Sequence, residues 1–109
     1  MKIIGIDVFE HALTYAHGAY AMSGGRVATQ QASTIVRVRT DEGVDGWGES
    51  CPLGGTYLPS FAGGVRAALA EIGPAVLGLD PRETSAVGAR MAATLRGFAG
   101  AKSAIDVAC

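Results

Sequence analysis

Charge is scarce in this chain. Only 17% of its 109 residues are Asp, Glu, Lys or Arg, nine basic against ten acidic, for a net charge of −1. No basic block or stripe exists, which excludes the electrostatic footprint of a nucleic-acid binder. Long apolar runs are missing too. None approaches the roughly 18 residues that a membrane-spanning helix needs, so no membrane partner is expected. The opening Met1-Lys2-Ile3-Ile4-Gly5-Ile6-Asp7 carries a charge at its end and no cleavage-like stretch, and it reads as the start of a strand rather than a signal peptide. Cysteine is limited to Cys51 and Cys109. Two residues do not make a disulfide framework, and reduced thiols in a cytoplasmic protein are expected.

Groups that run reactions are equally thin. Histidine occurs only as His11 and His17, at a strand end and in the loop after it. The carboxylates are scattered, with no pair spaced to face inward from one helix, so no metal site and no catalytic residue is expected among these residues. Cys51 precedes Pro52 and has no histidine near it in sequence, so no nucleophile–base pair is visible. Gly24-Gly25-Arg26 and Gly54-Gly55-Thr56 lack the strand-to-helix context and the lysine of a phosphate loop.

Glycine is abundant instead. Its 16 occurrences in 109 residues are about double the usual share of about 7%. They gather near residues 18–25, 43–55 and 63–64, where they predict turns and loops. The length corresponds to one domain. Residues 2–14 alternate as a strand, with Ile4, Ile6 and Val8 on one face and Ile3, Asp7 and Phe9 on the other. The segment His17 to Val27 breaks the alternation and predicts a loop. Residues 32–40 form a second strand, with Thr34, Val36, Val38 and Thr40 opposed to Ile35, Arg37 and Arg39. After the turn Asp41-Glu42-Gly43, Val44 to Glu49 returns as an antiparallel neighbour.

From Pro59 the period changes to that of a helix. Phe61, Val65, Ala68, Leu69 and Ile72 share one face, with Ser60 as the cap and Gly73-Pro74 as the stop. Asp80-Pro81-Arg82-Glu83 predicts a second helix start, with Asp80 at the cap. Val87, Met91 and Leu95 line that helix. After Gly97 to Gly100 a third helix begins at Ala101, with Ala101, Ala104, Ile105 and Ala108 on its apolar side. No stop signal follows it. Its apolar side is therefore expected to await a partner in a longer protein, and 1–109 is read as a domain cut at the entry to another. The expected class is α+β: a three-stranded antiparallel sheet followed by helices.

The run from Asp41 to Pro59 carries most of the functional signal. It passes from a hairpin turn into a strand with glycine at every second position, then into a loop bearing Tyr57. Such a strand is expected to present a loop rather than to fill a core. Tyr15, Tyr20 and Met22 mark the first loop in the same way. Trp47 is expected to cover the sheet, and Glu49 to anchor the strand end.

The ordered combination of a three-stranded sheet, Gly-Trp-Gly-Glu-Ser-Cys-Pro-Leu-Gly and Ala101-Lys102-Ser103-Ala104-Ile105-Asp106 resembles the capping domain of the enolase superfamily, in its mandelate racemase and muconate-lactonizing branch. Cys51-Pro52-Leu53-Gly54 with Tyr57-Leu58-Pro59 looks like members acting on proline derivatives, the hydroxyproline-betaine epimerases and cis-3-hydroxyproline dehydratases. The resemblance implies a C-terminal (β/α) barrel, absent from these residues, that carries three acidic Mg²⁺ ligands and the bases that remove a proton α to a carboxylate. It implies a role for residues 17–27 and 50–58 as specificity loops, a small carboxylate as substrate, and a homo-oligomer for the whole enzyme. Tyr20, Met22 and Tyr57 are the expected substrate-binding residues. The alternative is a free-standing α+β binding module with no reaction of its own.

Overall fold

A computed structural model describes residues 1–109. The order of elements is β1 (Ile3–Thr14), β2 (Tyr20–Ala21), β3 (Val27–Ala28), β4 (Gln30–Thr40), β5 (Asp45–Ser50), α1 (Ala62–Ala75), α2 (Thr84–Thr94) and α3 (Ala99–Ala108). Strands β1, β4 and β5 form one antiparallel sheet with β4 in the centre, and β2 pairs with β3 as a small hairpin. The expected α+β class and three-stranded sheet are thus present.

The helices cover one face of the sheet. Val36 and Val38 of β4 point into a core completed by Val65, Leu69, Ile72, Val87, Met91 and Ile105. The opposite face stays open. Phe9 and Trp47 stack there with ring centroids 6.1 Å apart. The Arg37 guanidinium lies 5.5 Å from the Trp47 ring, so Trp47 covers the outer side of the sheet and remains half exposed.

Alternation misassigns two residues of β1, Ile3 and Ile4. Ile3 pairs with Thr40 but Gly5 pairs with Arg39, so Ile4 is an extra residue without a partner. This bulge reverses the parity of the strand. Ile3 joins Ile6 on the core side at 1% exposure, and Ile4 is turned out at 53%.

The glycines of β5 have a packing reason. Gly46 and Gly48 face α3, where a Cβ on either would overlap the carbonyl oxygens of Ala108 and Ala104 respectively. Helix and strand backbones can approach this closely only without side chains between them. The alternate glycines therefore serve the core as well as leading to the loop. The same packing overturns the expectation that α3 lacks a partner. Ala101, Ala104 and Ile105 are each 0% exposed within these residues.

Three helix boundaries shift. The cap of α1 is Phe61 rather than Ser60, and the helix runs through Pro74 to Ala75. Phe61 leaves the core face, and its ring lies over the first turn, 3.1 Å from where a Cβ on Gly64 would sit. Helix α2 begins at Thr84, not beside Asp80. The Asp80 carboxylate accepts the Arg82 backbone N–H at 2.9 Å and its Nη2 at 2.7 Å, which closes a turn before the helix. Helix α3 begins at Ala99 and takes in Gly100, part of the expected break.

Beyond Thr34 the sheet loses its third strand. Strand β5 pairs with β4 only from Thr34 to Arg39, whereas the β1–β4 ladder continues from Glu10↔Thr34 to Thr14↔Gln30. A two-stranded arm results, exposed along Glu10 to Thr14 and ending in the β2–β3 hairpin. It helps stretch the molecule to 47 × 28 × 18 Å.

Candidate functional site

The two expected loops leave the same end of the sheet. The first is borne by the arm. The second follows Ser50, which pairs with Thr34 at the root of the arm. The residues expected as a loop from His17 to Val27 contain the β2–β3 hairpin and a short turn of helix at Ser23–Gly25. Tyr20 stacks on Tyr15 with centroids 5.5 Å apart and planes 12° apart. Met22, half-buried, donates its N–H to the Arg26 carbonyl at 2.8 Å. Tyr57 stands in the second loop at 60% exposure, in a turn closed by its N–H to the Gly54 carbonyl at 3.2 Å. Gly54 has a φ of 103°, which explains glycine there. The tyrosine pair unites Tyr15 with Tyr20, while Tyr57 joins no aromatic partner. Glu49 accepts the Ser33 hydroxyl at 2.5 Å, the anchoring role expected of it.

A cleft of about 460 Å³ lies behind the second loop. One wall is Cys51, Pro52, Leu58 and Pro59 of the loop, and the other is Phe98 at the corner between α2 and α3. Phe61 stands at the start of α1, and Ser50 and Ser60 bring hydroxyls. Phe98 takes a left-handed conformation, φ 54° and ψ 47°, the single non-glycine residue with positive φ. Sequence reasoning missed this cleft because its walls come from distant segments, and no local pattern announces their meeting. Gly97-Phe98 was the available signal, a glycine before a strained aromatic, and periodicity alone reads it as a helix break. Tyr20, Met22 and Tyr57 are not among the residues that line the cleft.

Titratable groups concentrate elsewhere. On the open face of the sheet, Asp7 accepts from Arg37 Nη2 at 2.6 Å and from Arg39 Nε at 2.8 Å. The hydrogen bonds from Arg39 and then Arg37 hold its carboxyl below the ordinary aspartate value. Neither cysteine is paired. Burial, and then Asp106, push the Cys109 thiol up, so it is protonated at neutral pH. No three His, Cys, Asp or Glu side chains come together as a metal site would require. The residues present do not fit Mg²⁺, since Asp7 is committed to arginines and the remaining carboxylates are dispersed.

An α+β fold with a three-stranded sheet, three helices and two loops issuing from one sheet end defines a class of N-terminal domain. Residues 3–109 match the mandelate racemase / muconate lactonizing enzyme N-terminal domain, and the chain belongs to this family. The chain is 45% identical over 109 residues to the cis-3-hydroxy-L-proline dehydratase of Roseibium aggregatum, covering 100% of this chain and 30% of that enzyme. Among solved structures, a protein of Roseovarius nubinhibens assigned to the mandelate racemase/muconate lactonizing enzymes and complexed with magnesium is similar. It has a TM-score of 0.96 and 46% identity, over 100% of this chain and 29% of that one. The dipeptide epimerase of Enterococcus faecalis, complexed with Mg and L-Leu-L-Tyr, matches with a TM-score of 0.90 and 28% identity, over 100% of this chain and 30% of its own. The chain thus spans about 30% of the length of these relatives. They include dehydratase and epimerase enzymes of the superfamily. No helix of the chain is long and apolar enough to cross a membrane.

Proposed function

We propose that residues 1–109 are the substrate-facing cap of a larger Mg²⁺-dependent enzyme that abstracts the proton α to a carboxylate. The reaction class is racemisation, epimerisation or dehydration, and the substrate is a proline or hydroxyproline derivative. The observation that carries this reading is the 45% identity over all 109 residues, 30% of the relative's length, to a cis-3-hydroxy-L-proline dehydratase. The arm adds physical support. Two strands alone are marginal in water, so an arm exposed along Glu10 to Thr14 gains from a body to rest against. A C-terminal barrel would supply that body, together with the ion and the bases. When bound there, Mg²⁺ would stabilise the enediolate left by proton removal. The whole enzyme would be a cytoplasmic homo-oligomer, and the two unpaired thiols suit a reducing compartment.

Within this reading, Tyr20, Met22 and Tyr57 close the substrate site from above. A tyrosine face offers a secondary or quaternary ammonium about 0.5–2 kcal/mol. The test is Tyr57→Ala in the enzyme that carries this chain. Expected is a fall of at least about tenfold in kcat/KM for cis-3-hydroxy-L-proline or proline betaine, while stability changes by under about 0.5 kcal/mol. Unchanged kcat/KM with a much lower Tm would make Tyr57 a packing residue and defeat the assignment. Residues 1–109 alone are expected to incorporate no solvent deuterium into either compound. Incorporation would overturn the division of labour between cap and barrel.

A further inference from the structure

We infer that the root of the arm carries a latch, in which the Glu10 carboxylate closes onto Arg66 and Thr34 and fixes the arm against the helices. Glu10, Thr34 and Ser50 form the last row of the sheet in which all three strands take part. Side chains alternate along a strand. Glu10 and Thr34 therefore share the helix-covered side with Val36 and Val38. Arg66 of α1 reaches the same spot from the helical layer, with its Nη1 3.4 Å from a Glu10 carboxylate oxygen.

Neither donor at this spot is satisfied. Thr34 Oγ1 and Arg66 Nη1 are the two buried side-chain polar atoms of the chain that make no hydrogen bond. Buried polar groups are normally paired, and an unpaired one carries the full cost of its desolvation. Both orphans lie beside one carboxylate. Residues directly opposed on antiparallel strands have Cβ atoms about 4.5–5.5 Å apart, so Thr34 is within reach of the glutamate that faces it. The Glu10 side chain is 58% exposed and free to turn. Its two oxygens give each donor an acceptor in a single turn inward.

The other side of the root is already fastened. There the Ser33 hydroxyl donates to Glu49 at 2.5 Å and ties β4 to β5. One face of the root is thus closed and the other stands open. Farther out, the helix-facing side of the arm carries only Ala12 opposite Ala32 before its last pair, Thr14 and Gln30. Glu10–Arg66 is the ion pair that joins the arm to a helix. Drawing Glu10 inward tilts the arm toward α1 and gives a ribbon that is marginal by itself a second anchor. The latch concerns the attitude of the arm to the helices, and it stands or falls separately from the proposed cap function.

Amide hydrogen exchange of the 109-residue chain reads the latch. Glu10→Thr keeps a strand-forming residue that is too short to reach Arg66. It should speed exchange of residues 11–14 and 20–31 by at least about fivefold while Val36, Val38 and Ile105 exchange as in the parent. Arg66→Gln should do the same. Thr34→Val keeps the shape of the side chain and removes the hydroxyl. It should speed the arm about threefold in the parent and not at all beside Glu10→Thr, because the two groups act as one contact. If Thr34→Val does not fold, the pair Glu10→Thr and Arg66→Gln decides by the same test of non-additivity. The inference is overturned if Glu10→Thr leaves the arm unchanged, or if the core amides speed up equally. It is also overturned if Thr34→Val stabilises the chain, as removal of a lasting orphan would, or if the effects add, which would assign each donor to solvent separately.

Discussion

The packed body and the projecting arm are built from the same strands, yet they obey different constraints. In the body, Val36 lies between Val8 and Gly48 in the ladder and is 0% exposed. A few residues earlier along β4, Gln31 pairs with Leu13 in a ribbon with no third strand and no helix beneath it. What differs is the number of layers. Burial of apolar area stabilises the body, at about 25 cal/mol per Å². The arm has little such burial and is held mainly by its ladder and the Tyr15–Tyr20 stack. Shape in the body is fixed by close packing; shape in the arm is left open to whatever it meets.

The sharpest way to break this comparison is to add one methyl group to each region. Gly48→Ala would drive a Cβ into the Ala104 carbonyl oxygen, a backbone atom that cannot step aside. A loss of about 3 kcal/mol or more is expected, at or above the upper end of ordinary overpacking. Gly24→Ala in the arm meets nothing within 4 Å and suffers only from its φ of +77°. It should cost about 1 kcal/mol. Urea denaturation of both variants gives the answer. Equal losses would mean that the glycines of β5 are no more constrained than those of the arm.

Amide exchange sharpens the same contrast without mutation. Val36, Val38, Ala104 and Ile105 should exchange only through global unfolding, and residues 10–14 and 20–31 through local opening. A gap of at least about a thousandfold is expected between the two sets. Because α3 is seated on β5, its amides belong with the slow set despite the short length of the helix. Fast exchange at Ala104 would show that the seat is loose and would reinstate the reading of α3 as an unpartnered helix.

The degree to which the sequence was legible follows the same division. Strand β4 and the buried face of α1 were readable because period and burial coincide: Val36 and Val38, then Val65, Leu69 and Ile72. The bulge at Ile4 was not, since one inserted residue leaves the local composition unchanged while it inverts the faces. Asp80 misled because an aspartate that caps a helix and one that closes a turn look alike until the Arg82 N–H is placed. The alternate glycines of β5 announced something unusual, but only the position of α3 reveals that they admit a helix backbone. Tyr20 and Tyr57 were legible as exposed loop residues, whereas Met22 is half-buried. The cleft was illegible because it lies between distant segments.

The smallest expected effect tests whether the open face of the sheet contributes at all. Asp7 bridges Arg37 and Arg39, while Arg37 also sits over Phe9 and Trp47. The folded-state value of Asp7 is depressed below its ordinary 3.8 by the two guanidinium groups. Its stabilising contribution is therefore fully present above that ordinary value and is lost as pH falls through the lower folded one. Exposed ion pairs contribute little, because water and salt screen them. Asp7→Asn should lower Tm at neutral pH by less than about 5 °C. It should also flatten the loss of stability of the chain below its ordinary carboxylate range. Thermal melts of parent and variant across pH 2–7 separate the outcomes. Parallel profiles would assign acid sensitivity to other carboxylates, Asp80 beside Arg82 foremost. Converging profiles, with the difference vanishing at the acid end, would establish that the uncovered face is tied together by charge where the covered face is tied by packing.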